Sequence, residues 1–440
     1  MTAVPGGPPR VAILGGGYVG LYTAMQLERE LSPGQADLVL VSPHSYMTYQ
    51  PFLPEATAGN IEPRHTVVPL RSALKRTRLI SARVLSLDHG ARRVTIKPVE
   101  GEAYALPYDI VIWGIGSVSR VLPVPGLADA AVGFRTVGEA IFLRNQVLER
   151  LDAAESTDDP ELRRRALTFL FVGGGYAGVE ALAELEELAT YACRSLKTLR
   201  RADMRWVLVE AAGGILPEVG GGLGEYAIEV LRGRGIEVHL NTRLESAEGG
   251  VARLSDGQEL RADTLVWTTG VKAHPAAARS GLAADDKGRL ITDEHMRVRG
   301  AEDAWAAGDC AAVPDAVSGG TCPPTAQFAL RQARRLGSNV AAQLKGEDLT
   351  PFRYRNLGLL VSLGRYQGVA RVLGIRMKGV PAWVLHRAYH LLMIPTLGRK
   401  CRVALDWTVA LLFRRDVVQL GELTEPRGAF REAIGPTGGE

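Results

Sequence analysis

Twice along the chain the apolar pattern changes period in the same way. At residues 11–14 four aliphatic residues run together, a glycine-rich turn follows, and Leu21, Ala24, Met25 and Leu27 then recur at helical spacing. A short unbroken apolar run is the pattern of a strand buried on both faces, and the later spacing is that of an amphipathic helix. The next strand is "ADLVLVS", ending at Ser42. The same succession returns at residues 168–184, "TFLFVGGGYAGVEALAE", with "MRWVLVE" as its following strand, ending at Glu210. Two further apolar runs, "YDIVIWGIGS" (108–117) and "DTLVWTTGV" (263–271), each end in a glycine turn. "TAQFALRQARRLGSNVAAQL" predicts an amphipathic helix, and "FRYRNLGLLVSLGRYQGVARVLG" a hairpin of strands.

Strand, turn, helix and strand in that order make a βαβ unit, so the predicted class is α/β with two Rossmann-like units. The turns supply the chemistry. Gly15, Gly17 and Gly20 form one GxGxxG, and Gly173, Gly175 and Gly178 the other. The first glycine permits the tight turn. The second lets backbone approach a pyrophosphate, and the third lets helix pack close to strand. The free N–H groups and dipole of the helix N-terminus then favour the anion. Glu210, at the end of the second strand of its unit, can accept both ribose hydroxyls of NADH and would repel a 2′-phosphate. Ser42 holds the corresponding place after the first turn and is a weaker ribose partner.

Two dinucleotide folds in one chain are accounted for if one holds a flavin and the other admits a nicotinamide, with hydride passing between the stacked rings. The first turn is assigned to FAD, because "AEDAWAAGDCAAVPD" sets Gly308-Asp309 after a short apolar strand, where Asp309 can bind ribityl hydroxyls. Such chemistry requires no triad or paired-carboxylate motif, and none stands out.

Composition removes other classes. The chain has 440 residues, 46% hydrophobic and 23% charged, with a net charge of +4, too weak to imply nucleic-acid binding. Its four cysteines, Cys193, Cys310, Cys322 and Cys401, form no CxxC, which argues against a zinc site, a disulfide framework and a dithiol reductase. No metal is expected. "MTAVPGGPPR" lacks the apolar core of a signal peptide, and no apolar run reaches the roughly 18 residues of a spanning helix.

With these residues in hand, the chain resembles the type II NADH:quinone oxidoreductases, in particular their actinobacterial branch, from about residue 11 to about residue 423. The specific stretches are "YMTYQPFLPEATAG", the two GGGYxG turns, "WAAGDCA", "PPTAQFALRQA" and "HRAYHLLMIPTLGRKCRVALDW". The resemblance implies non-covalent FAD, NADH oxidation, quinone reduction without proton pumping, and attachment to one membrane leaflet. It places Glu180 near the nicotinamide and quinone sites and Gln50 in a flavin-side loop. The family motif AQxAxQxG is met by Ala326, Gln327 and Ala329, whereas Arg331 and Ala333 depart from it. Gln327 is the candidate hydrogen-bond donor to a quinone carbonyl.

Residues 371–415 carry nine Lys and Arg against Asp406 alone, so the remainder is net acidic. Trp383, Tyr389, Leu391, Leu392, Met393, Ile394, Trp407, Leu411, Leu412 and Phe413 are interleaved with them. Basic plus aromatic and aliphatic residues suit a helix lying in an anionic bilayer surface. A homodimer interface and ordinary core are the competing readings, and a lipid quinone as substrate, menaquinone first, favours the bilayer.

The expected organisation is a lead over 1–9, an FAD domain over 10–125 and 290–345, an NADH domain over 126–289, a C-terminal α+β membrane-associating segment over 346–423, and a tail over 424–440. The expected location is the cytoplasmic face of the cell membrane. Three rivals remain: a soluble NADH-dependent flavin diaphorase, an FAD- and NADH-binding redox sensor, and a sulfide:quinone reductase relying on Cys322.

Overall fold

In the computed structural model, which describes residues 7–356 and 358–420, both aliphatic runs form central strands. The tail expected over 424–440 and most of the lead over 1–9 lie outside the described residues. The chain divides into two compact units.

The first unit comprises Met1–Thr48, Val67–Arg120 and Val271–Leu357. Its seven-stranded sheet runs, in spatial order, Ala304–Ala306, Ile110–Trp113, Arg10–Leu14, Asp37–Ser42, Arg78–Asp88, Arg93–Pro98, Tyr104–Pro107. The first five are parallel and the last two continue as antiparallel hairpins. Val11, Ala12, Ile13 and Leu14 are wholly buried, as a strand covered on both faces requires. The Tyr18–Glu30 helix packs against the Ala326–Lys345 helix, where Thr23 donates to the carbonyl of Ala333 at 3.1 Å.

The second unit comprises Tyr49–Thr66, Val121–Gly270 and Gly358–Glu440. Its sheet is fully parallel, in the order Ala131–Val132, Thr264–Trp267, Thr168–Val172, Arg205–Val209, Ile236–His239. Phe169 stacks on Trp206 at 4.2 Å in its core. The Tyr176–Ala192 helix is buried on nearly every side, three glutamates included. The expected hairpin is present as Gly358–Ser362 and Gly368–Val372, extended by Ile375–Lys378.

The boundaries differ from those expected: residues 346–356 fall in the first unit and the described remainder of the C-terminal segment in the second, and two further differences have a pairing reason. The chain rejoins the first unit at Val271 rather than 290, because Val271–Ala273 pairs with Ser117–Ser119. Residues 49–66 belong with the second unit, because Leu53 and Ala58 enter its core and Glu55 and Asn60 bond within it.

The C-terminal segment forms two helices, Val380–Met393 and Leu397–Leu412, and the former bears no uniform surface role. Trp383, Arg387 and Ile394, read as bilayer-facing, turn inward: Ile394 is fully buried, and the Arg387 guanidinium lies over the rings of Trp383 at 4.2 Å and Trp407 at 4.9 Å. Val380, Val384, Leu392, Leu397, Leu405, Val409, Leu411, Leu412 and Phe413 are large apolar side chains left exposed. No described helix is long and apolar enough to cross a membrane.

Candidate functional site

In the first unit the turn after Arg10–Leu14 is closed by steric demands that only glycine meets. Gly15 has φ +103°, and a Cβ there would overlap the carbonyl of Gly114. A Cβ on Gly20 would overlap the carbonyl oxygen of Gly15, so the helix can approach the strand this closely only without one. Around Gly17, by contrast, a Cβ would meet nothing within 4 Å, and Gly17 caps the Tyr18–Glu30 helix with no side-chain hydrogen bond. The uncapped helix start therefore faces open space, which fits a diphosphate. Ser42 is buried, and its hydroxyl donates to the carbonyl of His44 at 2.7 Å. It is turned to its own chain.

The other first-unit candidates cluster at the end of the edge strand Ala304–Ala306. Gly308 has φ +72°, and its N–H donates to Oε1 of Gln332 at 2.8 Å. Asp309 accepts from the hydroxyl of Ser117 at 2.6 Å, which occupies one of the several lone pairs a carboxylate offers. Gln332 was missed in the sequence. It lies one position after Arg331, where the resembled motif has its second glutamine, and it braces the Gly308 turn. Gln327, near the start of Ala326–Lys345, accepts from Tyr354 Oη at 3.1 Å, and Arg331 covers the Tyr354 ring at 4.3 Å. Burial pushes the thiols of Cys310 and Cys322 up to about 11, so neither is a thiolate at neutral pH.

The second unit repeats the turn and sets an acidic residue, Glu210, where the first has Ser42. Gly173 has φ +117°, and a Cβ there would sit 2.6 Å from the carbonyl of Thr268. A Cβ on Gly178 would overlap the carbonyl oxygen of Gly173, while Gly175 again faces open space and caps its helix without a side chain. Glu210 accepts from Gly174 N–H at 2.6 Å and from Ala212 N–H at 2.7 Å. Two backbone donors thus fix the carboxylate beside the turn. Ser42 makes no such bridge to its own glycine turn.

The helix rooted in this second turn carries Glu180, Glu184 and Glu187 at i, i+4 and i+7, one face of the helix. Glu180, 7% exposed, accepts from Ser362 N–H at 2.8 Å and faces Nε2 of His386 at 3.2 Å. His386 Nδ1 is buried without a partner among the described residues, and its ring meets that of His390 edge-on at 4.5 Å. Burial, aided by His386, holds His390 well below the ordinary imidazole range, and its Nδ1 lies 3.1 Å from Tyr49 Oη. Glu184 accepts from Asn60 Nδ2 at 3.1 Å. Burial pushes its carboxyl up to about 8; Glu187 and Glu55 add to the rise, and Arg415 and Arg387 oppose it. Glu55, 2% exposed, accepts from Arg387 at 2.6 Å and from Trp407 Nε1 at 2.8 Å.

Glu180 and Gln327 fall in different units, and Gln50, itself exposed, opens the short turn Gln50–Phe52 in the second. His386, His390, Glu184 and Glu55 had no assigned role in the sequence. The only signal was the "HRAYH" spacing, which puts both histidines on one helix face.

The chain matches the family described as pyridine nucleotide-disulphide oxidoreductase over residues 9–333. It is 28% identical over 428 residues to the type II NADH:quinone oxidoreductase Ndh of Mycobacterium tuberculosis, covering 94% of this chain and 90% of that protein. The type II NADH:quinone oxidoreductase of Staphylococcus haemolyticus is 29% identical over 381 residues, 85% of this chain and 92% of that one. The fold is similar to NDH2 of Plasmodium falciparum, solved in complex with NADH, with a TM-score of 0.87 at 16% identity over 93% of this chain and 99% of that chain.

Proposed function

This chain belongs to the pyridine nucleotide-disulphide oxidoreductase family, and we propose that it is an FAD-containing NADH:quinone oxidoreductase, peripheral to the cytoplasmic face of the cell membrane. The first unit would hold FAD, its diphosphate at Gly15, Gly17 and Gly20 and its ribityl chain at Asp309. When bound, FAD supplies a two-electron carrier that takes hydride from NADH and reduces a quinone. The second unit would bind NADH. The N-terminus of Tyr176–Ala192 holds the diphosphate beside Gly175, and Glu210 takes the ribose hydroxyls while repelling the 2′-phosphate of NADPH.

Reducing a quinone consumes two protons, and the acidic face of the same helix can hold them. The Glu180 carboxylate and Nε2 of His386 lie 3.2 Å apart, close enough to relay a proton between them. Glu184, at about 8, keeps its own at neutral pH. The Gln327 amide would donate to a quinone carbonyl. The observation that carries this reading is that the helix rooted in the nicotinamide-side glycine turn bears a buried acid paired with a buried imidazole. Menaquinone is the first substrate to test.

Stopped-flow spectra of the purified flavoprotein test it. NADH should bleach the flavin, and a short-chain menaquinone analogue should then re-oxidise it quickly. His386→Ala should slow the second step and leave the first intact. Re-oxidation no faster than in buffer would refute the quinone assignment. It would favour the soluble diaphorase, for which Arg331 on the Tyr354 ring, in place of the motif's glutamine, is the supporting observation.

A further inference from the structure

The second unit contains a cavity of about 950 Å³ between the Val137–Glu155 helix, residues 59–64 and the end of Leu397–Leu412. Six arginines line it against four carboxylates. The carboxylates are engaged: Glu62 pairs with Arg64, Asp406 with His65, Glu187 with Arg415, and Asp416 accepts from Val418 N–H. Arg194, Arg365 and Arg414 form no ion pair among the described residues.

Two guanidinium groups each have one buried nitrogen left unsatisfied among the described residues. Arg144 donates from Nη2 to the carbonyl of Asp416 at 2.7 Å, but its Nη1 is buried without a partner among the described residues. Arg415, with its side chain 8% exposed, donates from Nη2 to Asn60 and Glu187 at 3.1 and 3.0 Å, and its Nη1 is likewise unpartnered. Burial holds the Arg144 guanidinium below its ordinary range, and the like charge of Arg415 adds to this against the pull of Asp416. Buried charged donors without acceptors are costly, and an oxyanion in the cavity that both residues line would offset that cost.

The cavity's rim selects the source of the anion. Val409, Leu412 and Phe413 line it and are 54%, 74% and 68% exposed. Leu397, Cys401, Leu405, Val409 and Leu412 follow one another at helical spacing, all exposed, so an apolar stripe leads along the helix to the cavity mouth. A soluble phosphate has no use for such a stripe, whereas a phospholipid has acyl chains to lay along it.

We infer that this cavity binds the phosphate of an anionic phospholipid headgroup between Arg144 and Arg415, with the acyl chains along the exposed face of Leu397–Leu412. The inference rests on the membrane-facing reading above and adds a headgroup site to it.

Co-sedimentation of the FAD-loaded full chain with vesicles of phosphatidylcholine, with and without phosphatidylglycerol, tests it. In ~1 M salt the screening length falls to about 3 Å, which removes diffuse attraction and spares buried contacts. The wild type should still prefer phosphatidylglycerol vesicles there. Arg144→Gln should lower that preference about tenfold, the weight of one charge-assisted hydrogen bond. Arg414→Gln, an exposed change at the rim that does not threaten the fold, should lower it in part. Arg402→Gln, on the same helix outside the cavity, should leave it intact. Melting transitions of the variants within a few degrees of wild type report an intact fold.

Equal losses in Arg144→Gln and Arg402→Gln would overturn the site in favour of diffuse charge attraction. A preference present at low salt and absent at high salt would overturn it too, while leaving the membrane reading standing. No vesicle binding at either salt would sink both. If glycerol phosphate raised the melting temperature of wild type but not of Arg144→Gln, and no vesicle preference appeared, the cavity would serve a soluble phosphate ester and the lipid assignment would fall.

Discussion

Replacing Glu184 by Gln isolates the ionisation of one buried carboxyl. In the fold that carboxyl titrates at about 8, against an ordinary value of 4.5. Between those two values the folded chain binds a proton that the unfolded chain has released. Stability therefore falls as pH rises: the contribution is fully present below about 4.5 and lost above about 8. The 3.5-unit difference between 8 and 4.5 sets a ceiling of roughly 5 kcal/mol on the effect. Gln keeps the size and the acceptor for Asn60 Nδ2 but carries no charge. The variant and the wild type should thus have nearly equal stability at pH 5, with the variant ahead by a few kcal/mol at pH 8. At about 2–4 °C per kcal/mol for a unit of this size, the gap in melting temperature should widen by roughly 10 °C. Thermal melts followed by near-ultraviolet circular dichroism at several pH values would read it directly. A gap that stays constant from pH 5 to pH 8 would refute the reasoning, because Glu184 would then be ionised inside the fold.

Glu210→Gln should raise KM for NADH roughly tenfold or more, by weakening charge-assisted contacts to the ribose, and should narrow the preference over NADPH; steady-state rates with ferricyanide as acceptor measure both. Gly20→Ala and Gly178→Ala should separate the two nucleotide sites. The first forces a Cβ into the Gly15 carbonyl and should lower flavin content, read from the visible spectrum of the purified protein. The second does the same at Gly173 and should leave flavin bound but unbleached by NADH. Cys322→Ser should leave quinone turnover within about twofold, and alkylation of Cys322 in the native protein should become fast only near the pH of about 11 at which its thiol ionises. Sulfide-dependent flavin bleaching abolished by that substitution would reverse this expectation.

Much of the nucleotide-binding architecture was legible because its causes are local. A positive φ at Gly15 and Gly173, and a missing Cβ at Gly20 and Gly178, are demands made within a few residues of each turn. The end of the following strand, where Ser42 and Glu210 sit, is a short and fixed distance along the chain. The polar cluster of the second unit was not legible, because its partners are far apart in sequence. Arg387 belongs to a basic and aromatic run that reads as surface, and only Glu55 and two tryptophans turn it inward. Periodicity shows which residues share a face, not what that face meets. Gln332 escaped for a different reason: the motif's glutamine is displaced by one position, and a pattern match at Arg331 passes it by.

The contrast between Ser42 and Glu210 bears on how often each ligand is chosen. A prosthetic group that remains for the protein's lifetime is discriminated once, during assembly, and slow dissociation then keeps it without a strong ribose contact. A coenzyme that arrives and departs in every cycle is discriminated each time, and a carboxylate fixed by two backbone N–H groups makes that choice without reorganising. On the proposed assignment, the two turns share a shape and would differ, at Ser42 and Glu210, in a position that sorts a permanent occupant from a visitor.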